Sequence, residues 1–202
     1  MKTELCNLMD KFGSDKASNH NYTIFYYEIL KEKRNDEMNI FELGLGTNNI
    51  DIPSNMGENG KPGASLRAWR EFFPNSKIYG ADVDKKILFK EDRIETFYCD
   101  QTKKESIDEL WDSESLKNIK FDIIIDDGLH EVKANIKFLK NSFSKLKKGG
   151  IYIIEDLMNF NIKEYELRLK ELAKKLKFNF EIKNFHHTNQ LDNVICYIKN
   201  DN

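Results

Sequence analysis

Short runs rich in β-branched and aromatic residues alternate along this chain with longer stretches whose apolar positions recur every three or four residues. The short runs predict strands at Ile40–Leu43, Lys77–Ala81, Glu95–Cys99, Phe121–Ile125, Ile151–Ile154, Phe178–Ile182 and Val194–Ile198. The longer stretches predict helices with one buried stripe each: Leu66, Trp69 and Phe73; Ile136, Leu139, Phe143 and Leu146; Tyr165, Leu169, Leu172 and Leu176. Such alternation is the mark of parallel strands joined by crossover helices. Lys147 and Lys148 ahead of Gly149 and Gly150 read as a helix stop, because cations suit the negative helix end and glycine tolerates a left-handed cap. Between the last two strands there is no room for a helix, so they should pair as a hairpin. The expected fold is α/β, a Rossmann-like doubly wound mixed sheet of seven strands, mostly parallel with a C-terminal antiparallel hairpin.

Residues 1–35 precede the first strand and carry an aromatic helix candidate around Tyr22, Phe25, Tyr26 and Ile29. They read as an N-terminal cap segment on a single domain of residues 1–202, a length that fits one domain. The stretch from Gly46 to Gly63 is rich in Gly, Asn and Pro and too long for an ordinary turn, as functional loops tend to be.

Composition narrows the function classes. With 40% hydrophobic and 33% charged residues the chain can build one core under a charged surface. A net charge of -2, with no concentrated basic segment, argues against nucleic acid as partner. No apolar run is long enough for a membrane span, and the start, MKTELCNLMDKFGSDK, lacks the apolar stretch of a secretion signal, so a cytoplasmic location is expected. Cys6, Cys99 and Cys196 are far apart and lack metal-site spacing, and the two that sit inside apolar strand-like segments read as buried packing residues. Whether copies associate as a homo-oligomer is left open.

The chemistry gathers at strand ends. Glu42, Gly44 and Gly46 close the first strand, where glycines let a ligand approach the backbone and an acid can accept hydrogen bonds; Asn49 replaces the third glycine of a dinucleotide fingerprint. Asp82 ends the second strand, where an acid can hold ribose hydroxyls, and Asp100 with Gln101 ends the third, placed to edge an adenine. The fourth and fifth strands deliver Asp127, Glu155 and Asp156 to the same rim, carboxylates suited to a hard divalent cation. His130, three residues beyond Asp127, can act as a general base. Lys16 and His20 are further candidates for touching a substrate, and His186 and His187 in the late hairpin read as structural or substrate-facing.

Four segments together, FELGLG, SLRAWREFFPNSKIYGADVD, FYCDQTKKESIDEL and FDIIIDDGLHEVKANIKFLKNSFSKLKKGGIYIIED, resemble the class I S-adenosylmethionine-dependent methyltransferases. Within them the chain is similar to the metal-dependent sugar O-methyltransferases of the macrocin and mycinamicin type, grouped with cephalosporin hydroxylase-like proteins. The opening DKFGSDKASNHNYTIFYYEIL matches as well, so the likeness covers most of residues 10–157, with IDDGLH and IED as its most specific parts. The resemblance implies S-adenosyl-L-methionine as cofactor, with Glu42, Gly44 and Gly46 on its methionine and ribose side, Asp82 on the ribose, and Asp100 and Gln101 at the adenine. It implies Mg2+ or a similar ion on Asp127, Glu155 and Asp156, and His130 as base with Asp127 beside it. The implied reaction is methyl transfer to a sugar hydroxyl, of a nucleotide-activated sugar such as a GDP-heptose, in surface polysaccharide or glycosylated metabolite biosynthesis. Leu129 stands where Ser is common, the loop after the glycine turn is Asn-rich, and the extra N-terminal domain of the macrolide-modifying members is expected to be absent. Competing readings are a catechol-like O-methyltransferase, an iron-dependent oxygenase and a noncatalytic nucleotide-binding module.

Overall fold

Apolar residues on consecutive strand positions can all be buried only if both faces of the sheet are covered, and the computed structural model, which describes residues 2–18, 20–185 and 192–201, shows that arrangement. In chain order the elements are α1 (Glu4–Phe12), α2 (Tyr22–Leu30), β1 (Asn39–Leu43), α3 (Ala64–Phe72), β2 (Lys77–Asp82), β3 (Lys90–Glu91), β4 (Ile94–Tyr98), α4 (Lys104–Asp112) and β5 (Phe121–Asp126). They continue with α5 (Val132–Ser142), β6 (Leu146–Ile154), α6 (Ile162–Leu176), β7 (Phe178–Asn184) and β8 (Val194–Asn200). The described strands form an eight-stranded sheet in the order β3-β4-β2-β1-β5-β6-β8-β7. From β4 to β6 all pairs are parallel, while β3 and the β7–β8 hairpin pair antiparallel.

Successive strand residues point to opposite faces, which divides the core in two. Phe41, Leu43, Ile124, Tyr152 and Ile154 join one cluster with Trp111 of α4, Phe138 of α5 and Tyr165 of α6. Ile40, Ile78, Ile123 and Ile153 join the other with Leu5 of α1, Tyr26 of α2 and Trp69 of α3. The expected cap is therefore built into one layer of the fold, its helices sharing a core with α3. No helix among the described residues is long and apolar enough to cross a membrane. The three cysteines are free and buried, as the apolar settings of two of them predict.

Two expectations need correction. The seven predicted strands are all present, but the sheet gains an eighth, β3, whose two residues are too short to show any periodicity. The segment Lys147–Gly150 does not stop a helix. α5 ends at Ser142, a short 3-10 turn covers Phe143–Lys145, and β6 already begins at Leu146. Phe121 pairs with Leu146 but Ile123 with Ile151, so the intervening residues bulge out of the ladder opposite Asp122. Gly149 takes the positive φ (72°) and Lys147 ion-pairs with Asp122, which is what the KKGG run supports locally.

Candidate active site

Parallel strands all end on one rim, and β1 lies between β2 and β5, so the connections leave it in opposite directions and open a crevice. A cavity of about 550 Å³ lies there. Its lining includes Gly44, Gly46, Asp82, Asp100, Gln101, Asp127, His130, Glu155 and Asp156, with Thr47 and Asp51–Met56 of the long loop closing one side. Glu42 is absent from the lining. Its carboxylate turns inward beneath the glycine turn, accepting hydrogen bonds from Ser65 Oγ (2.6 Å) and Trp69 Nε1 (2.7 Å).

On the cofactor-like side the chain braces itself. Asp82 Oδ2 accepts from the Leu45 amide (2.7 Å) and Oδ1 from the Asp84 amide (2.8 Å), while Thr47 Oγ1 donates to Asp84 (2.6 Å), tying the turns after β1 and β2 together. Burial pushes the Asp82 carboxyl up, against the pull of these amides. Gly44 has φ +90°, and a Cβ there would lie 1.8 Å from the Asp127 carbonyl oxygen, so this glycine is required by the neighbouring strand tip as well as by any ligand. Gln101 donates to Asp126 (3.2 Å) and accepts from the Leu129 amide (2.6 Å), clamping the turn that carries Asp127 and His130. The Asp100 carboxylate is engaged by Thr102 and Lys103.

The opposite side is dense with buried charge. Lys16, in the turn between α1 and α2, is only 3% exposed and extends its ammonium between Asp127, with which it makes a very short contact, and Glu155 (2.5 Å), with Glu42 at 3.6 Å. Tyr26 donates to Glu155, and Tyr22 donates to Asp156 (2.7 Å). His130 Nε2 lies 3.2 Å from Asp127 and 3.5 Å from Asp156, and His20 Nδ1 lies 3.4 Å from Asp156 on the other side. Burial opposes ionisation at Asp127, yet the Lys16 charge and the His130 hydrogen bond hold its carboxyl down at about 2. Burial lowers the His130 imidazolium, but the bond to Asp127 and the charge of Asp156 lift it to about 9. Glu155 is pushed well up by burial in spite of Lys16, and Asp156 is pushed up by burial and by Asp127. Asp127, His130 and Asp156 each offer a ligand atom within 4.8 Å of the others, a spacing that suits a divalent cation, whereas Glu155, expected in that set, is bonded to Lys16 and Tyr26 and lies outside it.

The candidate residues thus converge, apart from Glu42, and Lys16 and His20 are near but turned to acids. His186 and His187 lie outside the described residues. Tyr22 and Tyr26 were legible only as apolar helix positions; their spacing of four, which puts two hydroxyls on one helical face, was the available signal.

No protein-family model matches the chain. It is 35% identical over 160 residues (77% of its length) to demethylmacrocin O-methyltransferase of Streptomyces fradiae. It is 32% identical over 153 residues (76%) to 8-demethyl-8-alpha-L-rhamnosyl tetracenomycin-C 2'-O-methyltransferase of Streptomyces olivaceus. The matched part is 37% of the length of each relative. Among solved structures it is similar to the MycE methyltransferase of the mycinamycin biosynthetic pathway in complex with Mg and SAH, at a TM-score of 0.73 and 25% identity, covering 98% of this chain and 55% of that one. By fold, then, the chain has the class I S-adenosylmethionine-dependent methyltransferase architecture, and over the stretch it shares with them it is a homologue of the sugar O-methyltransferases of the macrocin and mycinamicin type.

Proposed function

We propose that this protein transfers a methyl group from S-adenosyl-L-methionine to a hydroxyl of a sugar carried on a glycosylated small molecule, with assistance from Mg2+ or a similar divalent cation. The observation that carries the reading is that one cavity joins the glycine turn and Asp82 to the Asp127, His130 and Asp156 cluster. Gly44 and Gly46 admit the cofactor against the backbone, Asp82 accepts from its ribose hydroxyls, and Asp100 with Gln101 borders the adenine. A sulfonium methyl is intrinsically reactive, so the protein's task is to align the acceptor oxygen and remove its proton. Asp127, Glu155 and Asp156 would hold the cation, which when bound orients the sugar oxygens and stabilises developing negative charge. In this reading His130, whose Nε2 lies 3.2 Å from Asp127, receives the hydroxyl proton.

The lining favours an uncharged glycoside over a nucleotide-activated sugar such as a GDP-heptose. Among the described lining residues Lys16 is the one lysine or arginine, and it donates to Asp127 and Glu155, whereas Asp15, Asp51 and Asp192 add negative charge to the lining. The described cluster also pairs two carboxylates with a single histidine, unlike the two-histidine, one-carboxylate set of an iron oxygenase. Incubation with S-adenosyl-L-methionine, Mg2+ and a panel of rhamnosides, amino-sugar glycosides, catechols and sugar nucleotides, read by mass spectrometry, tests this. A gain of 14 mass units, the methylene increment expected of methylation, is predicted on a neutral glycoside; methylation of catechols alone would overturn the sugar assignment.

A further inference from the structure

Lys16 has three N–H donors, and three carboxylates face them: Asp127, Glu155 and Glu42. Its side chain is 3% exposed and those of Glu42 and Glu155 are 0% and 1% exposed, so water contributes little to balancing the charge. Glu42 is additionally held by Ser65 and Trp69, and Glu155 by Tyr26, so each acid is fixed from behind while Lys16 supplies the positive charge in front. Asp156 lies beyond, with Tyr22, His20 and His130 around it rather than Lys16. Carboxylates packed this closely repel one another unless a cation lies among them. A ligand carboxylate at this point would meet an ammonium already hydrogen-bonded to Asp127 and Glu155, with Glu42 3.6 Å away.

We propose that Lys16 is a positioning residue, the built-in counter-cation of the acidic rim: it holds Asp127 and Glu155 in place before any divalent ion arrives, and by competing for the same carboxylates it weakens the grip on that ion. The inference rests on the divalent-cation reading of the site given above. An ordinary structural lysine would, when removed, weaken every ligand alike. A counter-cation has the opposite signature for a metal, since its removal leaves unbalanced negative charge next to Asp127 that a divalent ion can neutralise.

The test compares wild type, Lys16→Met and Lys16→Met/Glu155→Gln, each stripped with chelator, using Mn2+ as the metal probe and S-adenosylhomocysteine as the cofactor probe, both by calorimetry, with Tm in parallel. Lys16→Met should have a lower Tm in chelator, bind Mn2+ about tenfold or more tighter than wild type, as loss of a nearby buried like charge implies, and gain more Tm from Mn2+. Its affinity for S-adenosylhomocysteine should stay within about threefold, less than one charge-assisted hydrogen bond is worth. The double variant, which removes one acid with the lysine, should be more stable in chelator than Lys16→Met, including where Lys16→Met alone fails to fold. Unchanged or weaker Mn2+ binding, or a double variant no more stable than the single one, would overturn the inference. Loss of S-adenosylhomocysteine affinity with Mn2+ binding unchanged would also overturn it and make Lys16 a cofactor ligand. A wild-type protein that binds S-adenosylhomocysteine but no Mn2+ would instead refute the divalent-cation reading, and the stability comparison in chelator would still decide the role of Lys16.

Discussion

Replacing His130 by Gln in metal-free protein should remove a pH-dependent part of its stability. In the folded state the imidazolium is held at about 9 against a reference of 6.5, burial opposing and the bond to Asp127 with the charges of Asp156 and Asp127 prevailing. A shift of this size corresponds to at most about 3 kcal/mol. The folded-state value is raised, so the contribution is fully present below about pH 6.5 and is lost as pH rises to about 9. Burial holds Asp126 at about 6, below this window, and the Lys16 ammonium is lifted well above its ordinary range by Asp127 and Glu155 against burial; burial also raises Glu155 and Asp156, which both proteins retain. Urea denaturation in EDTA at closely spaced pH values should show wild-type stability falling across the window more steeply than that of His130→Gln. Parallel curves would refute the reasoning. The same observation bears on catalysis: with the Asp127 and Asp156 carboxylates beside it the imidazole holds its proton at neutral pH, and it accepts another group's proton only once those acids are drawn off by a further cation.

Three further outcomes follow from the geometry. Exhaustive chelation should abolish methyl transfer while leaving S-adenosylhomocysteine affinity, measured by calorimetry, largely intact, because the cofactor-side residues do not depend on the acid cluster. Asp82→Asn should weaken S-adenosylhomocysteine binding by about 10- to 100-fold, the worth of charge-assisted hydrogen bonds to ribose, with unchanged affinity refuting the ribose contact. Gly44→Ala, whose Cβ would meet the Asp127 carbonyl at 1.8 Å, should lower Tm by roughly 10 °C or more in the metal-free protein, a loss that thermal unfolding reads directly.

How much of this was legible in the sequence depended on whether the signal was local. The central strands β1, β2, β5 and β6 announce themselves because both of their faces are buried, leaving continuous apolar runs such as Ile123–Ile125. Asp82, Asp127 and Asp156 were legible because a parallel sheet brings every strand end to one rim whatever the loops do. The inward turn of Glu42 was not legible, because it depends on Ser65 and Trp69, 23 and 27 residues away. The Lys147–Gly150 bulge failed for a similar reason, since a Lys-Lys-Gly-Gly run caps helices as well as it bulges strands and only Asp122 across the ladder decides between them. Lys16 and the two tyrosines lie more than 100 residues from the acids they serve, beyond any periodicity.

The positions that deliver the donors are also strained. His130 and Asp156 both adopt left-handed backbone conformations, at φ 59° and 55°, which cost a non-glycine residue about 1–2 kcal/mol each. Neither is glycine, so the side chains are what the strain retains. At Asp156 it is held by Tyr22 from α2, and at His130 by the Gln101 clamp on the preceding Leu129 amide together with the bond to Asp127. These braces come from the N-terminal helices and from the end of β4, outside the strands that carry the acids. Deleting the braces should therefore loosen the donors without unfolding the sheet: Tyr22→Phe should cost about 1–3 kcal/mol and, if the strain is held as described, weaken Mn2+ binding while S-adenosylhomocysteine affinity is kept. A Tyr22→Phe protein with wild-type Mn2+ affinity would show that Asp156 is fixed by its own strand end, and that α2 serves only to cover the sheet.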